Sequence, residues 1–167
     1  VKRTQENPVK VLEDIQGIRN LLTLSKNLNV KRFFFSSSSE VYGEPVVIPQ
    51  NEDTTPLNSR VPYAVVKNVG ESFCRSYQQE YGLDFTIFRF FNTYGPRMRP
   101  NDGRVIPNFI NQAMRNEDIT VYGDGSQTRS FCFVTDLVDA IHTVMFSDDP
   151  TPFNCGNPDE YTILDTA

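Results

Sequence analysis

The sequence predicts an α/β fold in which a parallel sheet is covered by helices, and three observations carry this reading. Amphipathic helical stripes alternate with short strands along the chain, the order of units joined by right-handed crossovers. The first strands are continuous apolar or aromatic runs rather than alternating ones, as strands buried on both faces require. Polar residues gather directly after those strands, where open parallel sheets bind their ligands.

Taken in order, Val11, Ile15, Ile18 and Leu22 step by four, three and four within residues 7–27, and Leu12, Leu21 and Leu24 widen the stripe into an amphipathic helix. Lys31-Arg32-Phe33-Phe34-Phe35 reads as a buried strand, its phenylalanines in the core, stopped by the four serines Ser36 to Ser39. A loop rich in proline and polar residues, 43–62, leads to a second helix through Tyr63, Val66, Phe73 and Tyr77 to about Tyr81, closed by Gly82 as C-cap. Residues 84–91, β-branched and aromatic, form the next strand.

Downstream, 106–115 reads as a helix and 119–122 and 131–134 as short strands. Thr135 or Asp136 then caps a helix from Leu137 to Phe146. A last short strand lies at 152–155, and 162–167 has the look of the first turn of a helix. His142, the only histidine, sits in an apolar helical stretch, which favours structural burial over catalysis. There is no internal repeat and no low-complexity tract.

Composition narrows the function classes. The length of 167 residues suits one domain or a large piece of one, and 38% hydrophobic with 22% charged residues is ordinary for a globular chain. Sixteen basic residues stand scattered against 21 acidic ones, a net charge of -5, which argues against a general binder of nucleic acid or anionic membranes. No apolar run approaches the ~20 residues needed to span a bilayer, and no signal-peptide core follows the N-terminus, so a soluble, cytoplasmic protein is expected. Cys74, Cys132 and Cys155 are odd in number and widely spaced, and read as buried free thiols. No His, Cys or carboxylate set has metal-ligand spacing, so no catalytic metal is expected.

Two strand ends are loaded with polar groups: Ser36-Ser37-Ser38-Ser39-Glu40-Val41-Tyr42-Gly43 after the first, and Asn92-Thr93-Tyr94-Gly95-Pro96-Arg97 after the second. The helix between them opens with Tyr63-Ala64-Val65-Val66-Lys67, a spacing that stacks a phenol and an ammonium one turn apart. An ammonium beside a phenol favours phenolate, so the Tyr63 pKa is expected to fall from ~10 toward the working pH, making it a general base. A serine at the neighbouring strand end is placed to share the substrate hydroxyl's proton. Alone, Tyr-x-x-x-Lys also occurs on many solvated helices.

The ordered set Ser39-Glu40-Val41-Tyr42-Gly43, Pro62-Tyr63-x-x-x-Lys67 and Arg89-Phe90-Phe91-Asn92-Thr93-Tyr94-Gly95-Pro96-Arg97 resembles the extended short-chain dehydrogenase/reductase family, most closely its nucleotide-sugar epimerases, dehydratases and decarboxylases. The resemblance covers nearly the whole chain. It implies a Rossmann-like doubly wound parallel sheet, its N-terminal part missing, with a small α/β substrate-binding lobe. Residues 1–97 would be the C-terminal half of the NAD-binding domain, and 98–167 mostly the lobe, with 131–146 returning to the first domain.

The resemblance implies NAD as cofactor, Tyr63 as base, Lys67 as its partner on the nicotinamide ribose, Ser38 on the reacting hydroxyl and Glu40 as a further catalytic group. It implies Ser36, Ser37 and Phe90 beside the cofactor. Ser39, Arg60, Asn92, Arg104, Val105, Tyr122 and Arg129 would contact a nucleotide-sugar substrate, with Asn92 and Arg129 at its phosphates; a guanidinium suits that bidentate task. Residues 101–105 and Tyr122 would help line the nucleotide pocket. Seen alone, Arg129 is equally a surface ion-pairing residue and Tyr122 a core aromatic.

Ser39-Glu40 looks like the UDP-glucuronate decarboxylases, as does the stretch from Phe91 to Val105, so oxidation at C4, loss of carbon dioxide and reduction or release of the 4-keto pentose is the expected chemistry. The alternatives are a UDP-sugar 4-epimerase or a nucleotide-sugar 4,6-dehydratase. Ala64-Val65-Val66-Lys67 departs from the Asp-Glu-Gly-Lys common in the decarboxylases and is more like generic epimerases.

The chain opens without methionine, and it lacks the family's Gly-x-x-Gly-x-x-Gly turn and C-terminal Arg-Lys-Pro segment, so truncation at both ends is expected. In a reading of another class, the isolated chain is an inactive binding or structural remnant that holds NAD weakly. The stripes Val11/Ile15/Ile18/Leu22 and Val66/Gly70/Phe73/Tyr77 suit packing against helices or merely cover the sheet; the resemblance implies a homodimer through a four-helix bundle.

Overall fold

The computed structural model describes all residues except 1–3, 5, 45, 101, 102 and 150. The chain runs through α1 (Pro8–Leu12), α2 (Asp14–Asn27), β1 (Phe33–Ser38), a 3₁₀ turn (Ser39–Tyr42), α3 (Pro62–Tyr81), β2 (Phe85–Phe90) and β3 (Thr93–Tyr94). It continues through α4 (Val105–Met114), β4 (Thr128–Ser130), β5 (Cys132–Phe133), α5 (Val134–Met145), β6 (Phe153–Cys155), β7 (Glu160–Thr162) and α6 (Ile163–Thr166). The main sheet is parallel, in the order β1-β2-β6, with helices on both faces.

The two faces have separate cores. Leu22, Phe35, Cys74, Leu83, Phe85 and Ile87 join α2 and α3 to one face, and Phe88, Cys132, Leu137 and Cys155 join α5 to the other. Pro62 starts α3 at a position where a missing N–H costs nothing. Gly82, at φ 70°, ends it in the left-handed conformation, its N–H returning to the Gln78 carbonyl. α3 lies directly on β1: a Cβ added at Gly70 would come within 2.1 Å of the Phe35 ring.

The stripes on α2 and α3 therefore serve the chain's own core. Val11, Leu22, Val66 and Gly70 are buried, and Ile18, Phe73 and Tyr77 pack on the same cluster. The expected long first helix is two, broken between Leu12 and Asp14. β1 does not stop at the serines; it runs through Ser38, because the parallel ladder with β2 continues to the Ser38–Phe90 pair. Of its three phenylalanines only Phe35 is buried, while Phe34 is 38% exposed and stacks on Phe88 with ring centroids 6.0 Å apart.

The C-terminal third departs further from expectation. Residues 119–122 are not a strand, since the Thr120 N–H and hydroxyl are bonded by the Gln112 side chain in place of a neighbouring strand. α5 begins at Val134 rather than Leu137, leaving Thr135 and Asp136 inside its first turn. An antiparallel pair, β4 with β7, escaped the sequence reading and places Arg129 on a strand opposite Tyr161. β6 joins the main sheet beside β2, so residues 153–155 also sit with the first half of the chain. His142 is exposed and meets Phe146 edge-on at 5.1 Å. All three cysteines are buried free thiols, and burial pushes the Cys74 thiol up to about 12.

Candidate active site

The site is assembled where β1 ends and α3 begins. Ser38, last in β1, caps the 3₁₀ turn by accepting the Glu40 N–H at 3.2 Å, which fixes the chain's exit from the strand. Tyr63 follows Pro62 in the first turn of α3, and both it and Ser38 line the same cleft, where the Ser38 hydroxyl favours its phenolate. One turn on, the Lys67 Nζ donates to the Ser36 carbonyl at 2.7 Å and lies 5.6 Å from the centroid of the Tyr63 ring. The local sequence thus brings a phenol, a hydroxyl and an ammonium to one strand end.

Electrostatics there differ from the sequence expectation. The Tyr63 phenol lies above its ordinary value rather than below it. Burial is the main cause and the Glu40 charge adds to it, while the Ser38 hydrogen bond and Arg104 pull the other way. Lys67 is not among the groups that shift Tyr63; its ammonium is turned to the Ser36 carbonyl, and burial lowers its own pKa, opposed by Asp14.

Two clefts flank this cluster. One, of about 920 Å³, is lined by Ser36, Ser37, Ser38, Tyr63, Phe90 and Arg104 among others. The second, of about 690 Å³, is lined by Arg60, Gln50, Asn58, Thr128, Arg129, Asn154 and Glu160 among others. Ser39, Glu40, Val61, Phe91 and Asn92 border both. A serine, a carboxylate and an amide therefore stand at the junction between two ligand-sized spaces.

Comparison with known proteins interprets the arrangement. The family model described as "NAD dependent epimerase/dehydratase family" matches residues 1–156. The chain belongs to that family. UDP-glucuronic acid decarboxylase 1 of Danio rerio is 46% identical over 96% of this chain and 40% of its own length. UDP-glucuronic acid decarboxylase 5 of Arabidopsis thaliana is 44% identical over 96% and 48%. A solved UDP-N-acetylglucosamine 4-epimerase from Methanobrevibacter ruminantium M1, in complex with UDP-N-acetylmuramic acid, superposes with a TM-score of 0.91 at 33% identity, covering 98% of this chain and 54% of that one. The chain thus spans less than half the length of the curated relatives named. The fold is the Rossmann-type α/β architecture of these epimerases and dehydratases.

Within this family framework the candidate residues sort by place. Ser36, Ser37, Ser38, Tyr63 and Phe90 border the first cleft, with Lys67 behind them; Arg60 and Arg129 border the second, and Ser39, Glu40 and Asn92 border both. Ser37 is buried and its hydroxyl donates to Glu71 at 2.6 Å, so its side chain is committed inward rather than to a cofactor. Arg104 lies at the first cleft, on the Tyr63 side, rather than beside Arg129. Val105 starts α4 and lines neither cleft. Tyr122 is 75% exposed, neither core nor pocket wall, because the loop carrying it turns outward. Asn101 and Asp102 lie outside the described residues.

The sequence reading missed a buried polar cluster behind the site. The Arg89 guanidinium grips the Glu71 carboxylate with bonds of 3.0 and 2.7 Å, and both residues are at most 2% exposed. The signal was present: a lone arginine inside an apolar strand demands a buried partner, and Glu71 lies one turn beyond Lys67 on the same face of α3.

The opposing influences on Tyr63 give a signed prediction for the full-length protein. Ser38→Ala removes a bond that favours phenolate, so the limb of kcat/KM that reports Tyr63 ionisation moves to higher pH. Glu40→Gln removes a negative charge that disfavours phenolate, so the same limb moves to lower pH. A pH–rate profile of both variants checks this, and shifts in one common direction contradict it.

Proposed function

We propose that the full-length protein binds NAD and a UDP-sugar and decarboxylates UDP-glucuronate through a transient 4-keto sugar. The observation that carries the proposal is Glu40: a carboxylate beside Ser38 and Tyr63, at the junction of the cleft that Tyr63 lines and the cleft that Arg60 and Arg129 line. The identity to the UDP-glucuronic acid decarboxylases of Danio rerio and Arabidopsis thaliana supports the choice of reaction.

The residues present fit the cofactor. Tyr63, Ser36 and Ser38 line one cleft of about 920 Å³ with Phe90, hydroxyl groups suited to a ribose edge, and the Lys67 ammonium stands behind them on the Ser36 carbonyl. When bound, NAD supplies hydride-accepting and hydride-returning chemistry. Tyr63 takes the proton of the sugar's C4 hydroxyl, and Ser38 holds that oxygen and steadies the phenolate. In the resulting β-keto acid the bond to the carboxylate carbon lies next to the position activated by the C4 carbonyl. Its electrons flow toward that carbonyl as carbon dioxide leaves, and protonated Tyr63 donates to the developing oxyanion.

Arg60, Asn92 and Arg129 line the second cleft and are placed for the diphosphate and ribose. Overall charge does not decide this, since a few placed groups meet the anion locally. Among the described residues no helix is long and apolar enough to cross a membrane.

The test is carbon dioxide release from UDP-glucuronate by the full-length protein with NAD. Formation of a UDP-pentose with stoichiometric carbon dioxide is expected. Inversion at C4 with no carbon dioxide would instead make it an epimerase, the second reading, which Ala64-Val65-Val66-Lys67 and the 33% identical 4-epimerase favour.

A homodimer through α2 and α3 belongs to the same proposal. With the inner stripes used for the core, the support is the outer face of α2, where Leu21 and Leu24 are 56% and 53% exposed, one turn apart. Light scattering of the full-length protein is expected to give twice the monomer mass, and a monomer mass refutes it.

A further inference from the structure

The sheet register carries one more feature of the site. Ser37 pairs with Arg89 and Arg89 with Asn154, so three polar residues stand in one row, while the neighbouring rows are Ser36–Phe88–Phe153 and Ser38–Phe90–Cys155. Register partners in a parallel sheet point to the same face, and here the row is completed by Glu71 from α3 and Tyr42 from the 3₁₀ turn.

The row has a direction. A guanidinium only donates. With its Nε and Nη2 held by Glu71, Arg89 sends Nη1–H to the Tyr42 oxygen at 2.7 Å. Tyr42 must accept that bond, so its own proton points to Asn154 Oδ1 at 2.8 Å. That fixes which way the Asn154 amide faces: Nδ2 donates to the Gln50 carbonyl at 3.0 Å, while the Asn154 backbone N–H donates to Glu52 Oε1 at 2.7 Å. Burial keeps the Tyr42 phenol protonated, as this donor role requires.

We infer that Tyr42 and Asn154 are positioning residues for nucleotide-sugar binding. The buried Glu71–Arg89 pair orients Tyr42, Tyr42 orients the Asn154 amide, and Asn154 pins residues 50–52 so that Gly43, Glu44 and Ile48 to Gln50 form one wall of the arginine-lined cleft. Gly43, Glu44, Ile48, Pro49, Gln50 and Asn154 all border that cleft. The segment needs an anchor, because Val46, Val47 and Ile48 are 83, 64 and 57% exposed and take no part in either core cluster.

The inference rests on the second cleft being the nucleotide-sugar site, and the experiment keeps the two apart. In the full-length protein, Tyr42→Phe removes one hydroxyl and preserves the ring. Amide hydrogen exchange across 43–52 is expected to speed about tenfold, and KM for UDP-glucuronate to rise about tenfold with kcat within about twofold, the scale of one lost hydrogen bond. Asn154→Ala is expected to do the same, and the double variant to be no worse than Asn154→Ala alone, since both break one chain. Unchanged exchange in 43–52, an unchanged KM with only lowered thermal stability, or additive effects of the two changes each overturn it. If wild-type protein fails to turn over UDP-glucuronate, the reaction assignment has failed separately. A calorimetric titration with UDP then replaces KM, with the same expected weakening in both variants.

Discussion

Tyr63→Phe in the full-length protein lowers turnover by roughly 10²–10⁴-fold, the span typical of losing a positioned acid–base group. The ring, its place in the first turn of α3 and the fit of both clefts are unchanged by removing one oxygen. Binding of UDP, measured by calorimetry, therefore stays within about threefold of wild type, as expected where only transition-state interactions are lost. The loss falls on kcat rather than KM. Steady-state release of carbon dioxide measures it, and turnover retained within tenfold removes Tyr63 from the role of base.

The largest expected effect on stability is at Arg89. Arg89→Met leaves Glu71, among the described residues, with only the longer ion pair from Arg75 to Oε2 at 3.9 Å, made by a half-exposed side chain, and none on Oε1. It also strips Tyr42 of its donor. Breaking a buried pair from one side costs about 3–5 kcal/mol. Replacing both members by apolar residues of similar size, Glu71→Leu with Arg89→Met, leaves no buried charge and is expected to recover part of that loss. Urea denaturation of the two proteins tests this; a double variant less stable than Arg89→Met contradicts it.

Much of the fold was legible because it is written in short-range patterns. The three-four spacing of Ile15, Ile18 and Leu22 on α2 and the spacing from Tyr63 to Lys67 lie within a few turns of one helix, and the run from Phe85 to Phe90 is local too. The same locality explains the errors. Nothing in Ile119-Thr120-Val121-Tyr122 distinguishes a strand from a segment whose polar groups are met by Gln112. The β4–β7 pair joins Thr128 to Thr162, and such a pairing is set by how the lobe closes. Tyr63 shows the limit for chemistry: the spacing to Lys67 was right, but the direction of its pKa was decided by burial and by Ser38, Glu40 and Arg104.

By itself, the sequence determined the alternation of helix and strand, the polar strand ends and the one-turn spacing of Tyr63 and Lys67, because each depends on neighbours within a turn or a strand. Tertiary structure alone decided the pairings between residues far apart: Arg89 with Glu71 across 18 positions, with Tyr42 across 47, and Tyr42 with Asn154 across 112. Those partners are chosen by the register of three parallel strands and the height of α3 on the sheet. In that buried setting each polar group must find a partner or lose the hydrogen bonds it made in water.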